Sequence, residues 1–270
     1  MGRIEEKFRE LKQRGESALI PFVTAGDPDL RTTLKILIAL EIGGADIIEL
    51  GIPFSDPTAD GPTIQRSSER ALKNKLSLPK IFALVKEFRR HSELPIVLFG
   101  YFNPFFRYGL ASFCRQAAAA GADGVLCVDL PPEESGELQQ WSDTFGLDVI
   151  FLLSPTSGPV RISQAVRKGS GFIYYVSVTG VTGARRSLDG QLRGDVMRVR
   201  RATSLPVAVG FGISTAKQAA WIARFADAAV VGSALVQIIE TAKSKKQKAE
   251  LAGKFLARLK NAMRESRKRG

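Results

Sequence analysis

Four carboxylates crowd one short stretch of this chain: Asp46, Glu49, Asp56 and Asp60 all fall within DIIELGIPFSDPTADG, residues 46–61. Glu49 stands out because its neighbours Ile47, Ile48 and Leu50 have the composition of a buried strand. An ionised carboxylate there costs free energy unless it is paired, hydrogen-bonded or protonated. Either Glu49 points to solvent from an edge strand or strand end, or it sits in a dry pocket and carries a proton in a reaction. The Gly-, Pro-, Ser- and Asp-rich loop that follows offers Asp60 as a second carboxyl in a wetter setting. Two carboxyls in different environments suit acid–base chemistry.

Missing residue types narrow that chemistry. The single histidine, His91, belongs to a helical stretch away from any strand end, so a histidine-ligated metal is not expected. No predicted strand contains a lysine that could form a Schiff base inside the fold. Cys127 is mid-strand with no histidine partner and reads as core. The two cysteines have neither CxxC nor zinc spacing and fit a reducing cytoplasm.

Apolar strand-like runs at 19–23, 46–50, 95–100, 124–128, 148–152, 171–177, 206–210 and 228–231 alternate with helical patterns at 32–42, 81–90, 105–120, 133–145, 160–167, 192–202 and 215–224. Short continuous apolar runs mark parallel strands covered on both faces. Eight such units in 270 residues predict a single (β/α)8 barrel spanning 1–270. A doubly wound sheet is the alternative, but no GxGxxG follows a strand and no composition break marks a second domain. The opening helix, with Ile4, Phe8 and Leu11 on one face, would close the barrel bottom; it lacks the apolar core of a secretory signal. No apolar run reaches the ~18 residues of a membrane span.

Charge is uneven. Residues 242–270 hold eleven Lys or Arg against two Glu, so +9 of the chain's +12 lies there. Leu251, Phe255, Leu259 and Met263 give that segment an amphipathic stripe with a basic outer face. Its terminal charges are not interleaved with aromatics that could stack bases, so a solvated helix face is expected and nucleic acid is not.

Barrel chemistry collects at the C-terminal strand ends. These ends offer Phe22, then Glu49 and the loop to Asp60, then Tyr101 and Asn103, then Asp129. Gly180-Val181-Thr182-Gly183, Gly210-Phe211-Gly212-Ile213-Ser214 and Gly232-Ser233 follow strands six, seven and eight. Small residues before helix starts let main-chain N–H groups approach an anion. Together these three clusters point to a phosphorylated substrate, whereas any one alone would serve equally as a tight corner.

The stretches PFVTAGDP (21–28), IELGIPFSDPTADGP (48–62), VDLPPEE (128–134), GVTGAR (180–185), VGFGIS (209–214) and VGSALV (231–236) cover the chain nearly end to end. On them the sequence resembles the tryptophan synthase alpha subunit family. The resemblance implies a carbon–carbon lyase that splits indole-3-glycerol phosphate into indole and glyceraldehyde 3-phosphate without a metal or a cofactor of its own. Glu49 matches the family's acid–base glutamate, and Asp60 the aspartate that faces the indole N–H. Phe22, Tyr101 and Phe211 are apolar candidates for the indole side or equally for barrel core, and Tyr174 matches the family tyrosine expected to orient Glu49 by a hydrogen bond. Leu126 and Ile213 are further apolar candidates. Gly183, Gly212, Gly232 and Ser233 match phosphate-binding positions, with Ser214 expected to cap the helix after Gly212. Thr182 matches the threonine that closes the loop after strand six, so loops 53–60 and 179–189 are expected lids. The resemblance also implies a pyridoxal-phosphate beta subunit in an α2β2 assembly, docked on loops 53–62, 101–108 and 129–134. The basic segment 243–270 is expected to run past the family pattern.

Overall fold

The structure is a computed structural model that describes residues 2–177, 185–210 and 212–268. Eight parallel strands, β1 (Ala18–Thr24), β2 (Ile48–Gly51), β3 (Ile96–Gly100), β4 (Gly124–Cys127), β5 (Asp148–Leu153), β6 (Ile173–Val176), β7 (Val207–Gly210) and β8 (Ala228–Val231), pair in sequence order and close through β1 and β8. The expected barrel is therefore present, and each strand overlaps its predicted run. Strands buried on both faces need apolar residues at every position, which is why continuous runs located them.

Twelve α-helices surround the strands among the described residues: α1 (Arg3–Gln13), α2 (Leu30–Ile42), α3 (Pro62–Leu72), α4 (Leu78–Arg89), α5 (Phe102–Tyr108), α6 (Leu110–Ala120), α7 (Gly136–Phe145), α8 (Pro159–Lys168), α9 (Arg185–Ala202), α10 (Ala216–Ile222), α11 (Ser233–Thr241) and α12 (Lys245–Lys268). The helix expected over 105–120 is two helices, α5 and α6. They break at Gly109, whose φ of +86° is a left-handed conformation that a side chain would strain.

α1 closes the floor of the barrel. Its Ile4, Phe8 and Leu11 join Ile20, Ile47, Val97, Leu126 and Ile150 in the interior cluster, and the Phe8 ring lies 5.9 Å from that of Phe172. Leu126 thus belongs to this cluster, with Tyr174 packed against it from above.

The basic segment forms α12, which packs against α2, α10 and α11 as part of the helical ring. Ala252, Phe255, Leu256, Leu259 and Met263 are its buried apolar residues, whereas Leu251 is 42% exposed. An every-fourth-residue stripe winds off one face of an α-helix, while spacings that alternate between three and four stay on it. Nor is every charge on this helix solvated. Lys260 is 2% exposed, and its Nζ donates to Asp46 Oδ2 at 2.7 Å and to the Ser17 carbonyl at 3.2 Å.

Candidate active site

At the rim opposite α1, Glu49 lies in register between Phe22 of β1 and Val97 of β3. It is 1% exposed, and among the described residues neither carboxylate oxygen has a hydrogen-bond partner. Burial alone pushes its pKa well above the ordinary glutamate range. The edge-strand reading therefore falls: this carboxyl faces a dry interior and holds its proton far more tightly than a solvated one.

Tyr174, on β6, lies in register with Leu152 and Ala208. Its hydroxyl packs so closely on Gly210 that a Cβ there would lie 2.4 Å away. The expected hydrogen bond to Glu49 is not made in this structure. Tyr174 is near enough to feel the charge, however: burial first and the Glu49 carboxylate second raise its pKa well above the ordinary tyrosine value. Phe22 is buried beside Gly232, and its ring meets Phe99 edge-on at 5.1 Å.

Asp60 belongs to the loop between β2 and α3. Its setting is drier than a solvated loop, because burial raises its pKa to about 6 while a hydrogen bond from Tyr101 opposes the rise. Asp60 is then mostly ionised at neutral pH, and Glu49 is the carboxyl that keeps its proton. Tyr101 is buried at the end of β3, its hydroxyl accepts the Ala59 N–H at 3.0 Å, and its ring lies 5.2 Å from Phe54. It therefore fastens the Asp60 loop to the barrel. Gln65, which the sequence reading passed over, adds a second fastening by donating Nε2 to the Asp60 carbonyl at 2.9 Å.

The helix starts after β7 and β8 differ. Gly212, at φ +50°, stands where a Cβ would meet nothing within 4 Å, and it leads to α10. That helix is capped by Thr215, not by Ser214 as expected, with Gln218 completing a reciprocal capping box. Gly232 precedes α11 with no side-chain cap, and Ser233 is exposed at the first turn. The amides that open α11 are thus left to water or to an anion. Ile213 is buried in the hydrophobic core. Thr182, Gly183 and Phe211 lie outside the described residues, as does most of loop 179–189.

Around the same rim, the aromatic run after β3 divides. Phe105 is fully buried and stacks on Phe113, while Phe106 is 57% exposed and stacks on Phe102 at 5.6 Å. The Phe102 N–H donates to Asp129 Oδ1 at 2.7 Å, joining the loops after β3 and β4.

A closed parallel barrel with a bare buried acid, a second carboxyl near pH 6 and an open helix start at one rim defines a barrel enzyme that does acid–base work on an anionic substrate. The family described as tryptophan synthase alpha chain matches residues 8–264, so most of the basic segment lies inside the family pattern. The tryptophan synthase alpha chain of Citrifermentans bemidjiense is 57% identical over 97% of this chain and 98% of its own length. That of Geobacter sulfurreducens is 52% identical over 98% and 99%. Tryptophan synthase subunit alpha from Legionella pneumophila superposes with a TM-score of 0.92 at 38% identity, covering 98% of this chain and 99% of that one. A chain of the tryptophan synthase α2β2 complex from Pyrococcus furiosus gives 0.85 at 43%, covering 90% and 98%. The chain belongs to the tryptophan synthase alpha chain family.

Proposed function

We propose that the chain cleaves indole-3-glycerol phosphate to indole and glyceraldehyde 3-phosphate. The observation that carries this reading is Glu49, a dry carboxyl with no partner among the described residues and a strongly raised pKa. Protonated Glu49 delivers its proton to C3 of the indole ring, which leaves the ring cationic. Asp60, ionised at neutral pH, accepts the indole N–H and stabilises that cation. The Glu49 carboxylate then takes the proton from the side-chain hydroxyl as the carbon–carbon bond breaks. Indole and the aldehyde leave, and Glu49 has its proton back; no water, metal or electron acceptor is consumed. Phe22 and Tyr101, with Phe211, flank the ring, and Tyr174 packs beside Glu49. The amides at Gly232 and Ser233, with Gly212 and Gly183, hold the phosphate, and Thr182 closes the loop over it.

Pyridoxal phosphate belongs to a beta subunit, which receives indole in an α2β2 assembly. Phe102, Phe106 and the loops at 53–62 and 129–134 form the face it covers. No helix among the described residues is long and apolar enough to cross a membrane, and a cytoplasmic location suits both the small-molecule substrate and the free cysteines.

Indole release is measured from indole-3-glycerol phosphate with and without a tryptophan synthase beta subunit. Slow release that rises steeply with the beta chain supports the reading. Fast release by the chain alone removes the need for a partner. Ligand binding with no release under either condition sinks the lyase.

A further inference from the structure

α3 begins two residues after Asp60, and its outer face carries charges that the chemistry above leaves unused. Arg70 donates from Nε and Nη2 to the two oxygens of Asp27 at 2.9 and 2.8 Å, and from Nη1 to Glu240 Oε1 at 2.7 Å. Arg66 forks onto both Glu240 oxygens at 2.9 Å. Asp27 is buried in the loop after β1, and Glu240 lies near the end of α11. One cluster therefore joins the loop after β1 to α3 and α3 to α11.

The helices it joins are those that serve the two ends of the site. Gln65, next to Arg66, donates to the Asp60 carbonyl. α11 opens at Gly232, where a Cβ would lie 3.9 Å from Ile64 of α3. Planar guanidinium–carboxylate forks fix orientation as well as distance, which point charges do not. Hydrogen bonding from Arg66, with burial opposing, holds the Glu240 carboxyl down to about 2, so this link stays charged throughout the neutral range.

We propose that Asp27, Arg66, Arg70 and Glu240 are positioning residues that set the spacing of α3 and α11, so that Asp60 and the α11 amides engage the two ends of one substrate together. This rests on the lyase reading of the site. It makes the cluster a gauge of substrate length, one that matters to a ligand spanning both ends and not to a ligand filling one.

The test compares wild type, Glu240→Gln and Arg66→Gln. Glycerol 3-phosphate probes the phosphate end alone; indole-3-propanol phosphate spans both ends and has no bond to cleave. In each variant the spanning ligand should bind about tenfold more weakly, with kcat for indole-3-glycerol phosphate falling in parallel, while glycerol 3-phosphate affinity stays unchanged. Equal loss for both ligands would mean the cluster only supports the fold, and no loss for either would mean it only solvates the surface; each overturns the proposal. Arg66 is half exposed and contributes one arm of the cluster, so its variant keeps the comparison available should Glu240→Gln fail to fold. A wild type that neither cleaves the substrate nor binds the spanning ligand would overturn the lyase reading and this proposal with it, a failure recognisable because it needs no variant.

Discussion

The acids at the floor of this barrel and Glu49 nearer its rim are treated in opposite ways. At the floor, Asp46, Asp123 and Asp227 each precede a strand, and each accepts the first N–H groups of a neighbour: Leu19 in β1, Ile96 in β3 and Val207 in β7. Each also has its own cation, Lys260, Arg89 and Arg200 respectively. At the rim, Glu49 has neither amide nor cation among the described residues. Asp46 and Glu49 are three residues apart, so the contrast does not come from composition. Acids that are fully satisfied stitch the strands together. The one left unsatisfied raises the energy of the fold when ionised and keeps a proton ready for use.

Replacing Glu49 should break the contrast at its strongest point. Glu49→Gln is expected to lower cleavage by about 10²- to 10⁴-fold, read as indole release, while phosphate-ligand binding holds within a few-fold. The same variant should be more stable than wild type. Because the folded chain holds a proton that the unfolded chain gives up above the ordinary glutamate range, raising the pH costs wild type a share of stability that the variant does not lose. Melting temperatures taken from pH 5 upward should diverge; a constant difference would place Glu49 in contact with water.

At the floor, Lys260→Met leaves Asp46 buried without its cation and should cost about 3–5 kcal/mol in denaturant unfolding, with turnover per folded molecule unchanged. A comparable loss of turnover would mean that the floor reaches the chemistry. The pH dependence of kcat/KM sharpens the rim side. Activity that needs ionised Asp60 should rise with pH through about 6, and Asp60→Asn should remove that limb. The smallest effect is expected from Gly212→Asp, which should weaken glycerol 3-phosphate binding roughly tenfold by repulsion across the open space beside its backbone. Unchanged affinity would move the phosphate elsewhere.

Much of this architecture was legible in the sequence, for identifiable reasons. A strand buried on both faces has few ways to be written, so eight apolar runs marked eight strands. Glu49 was visible because it interrupts one of them. α3 was not, because PTIQRSSERAL has little apolar content and is held by Arg66, Arg70 and a buried Ser67–Thr24 hydroxyl bond of 2.6 Å, all contacts with residues distant in sequence. The drier setting of Asp60 was hidden for the same reason, since it arises from Tyr101 and the fold of the loop. Ser214 and Thr215 are equivalent as capping residues on paper; the position of Gln218 decides for Thr215. On α12, Lys260 reads as a surface charge until the helix is set against Asp46 and Glu16.

The apolar face of α1 has one more consequence. With Ile4, Phe8 and Leu11 filling the lower end, α1 seals the barrel interior on the side away from the C-terminal strand ends. Substrate and products are then expected to exchange through the opposite end, and turnover to depend on how quickly that end empties. A partner that covered the exposed Phe106 at that end would meet departing indole by position before affinity has any part in it.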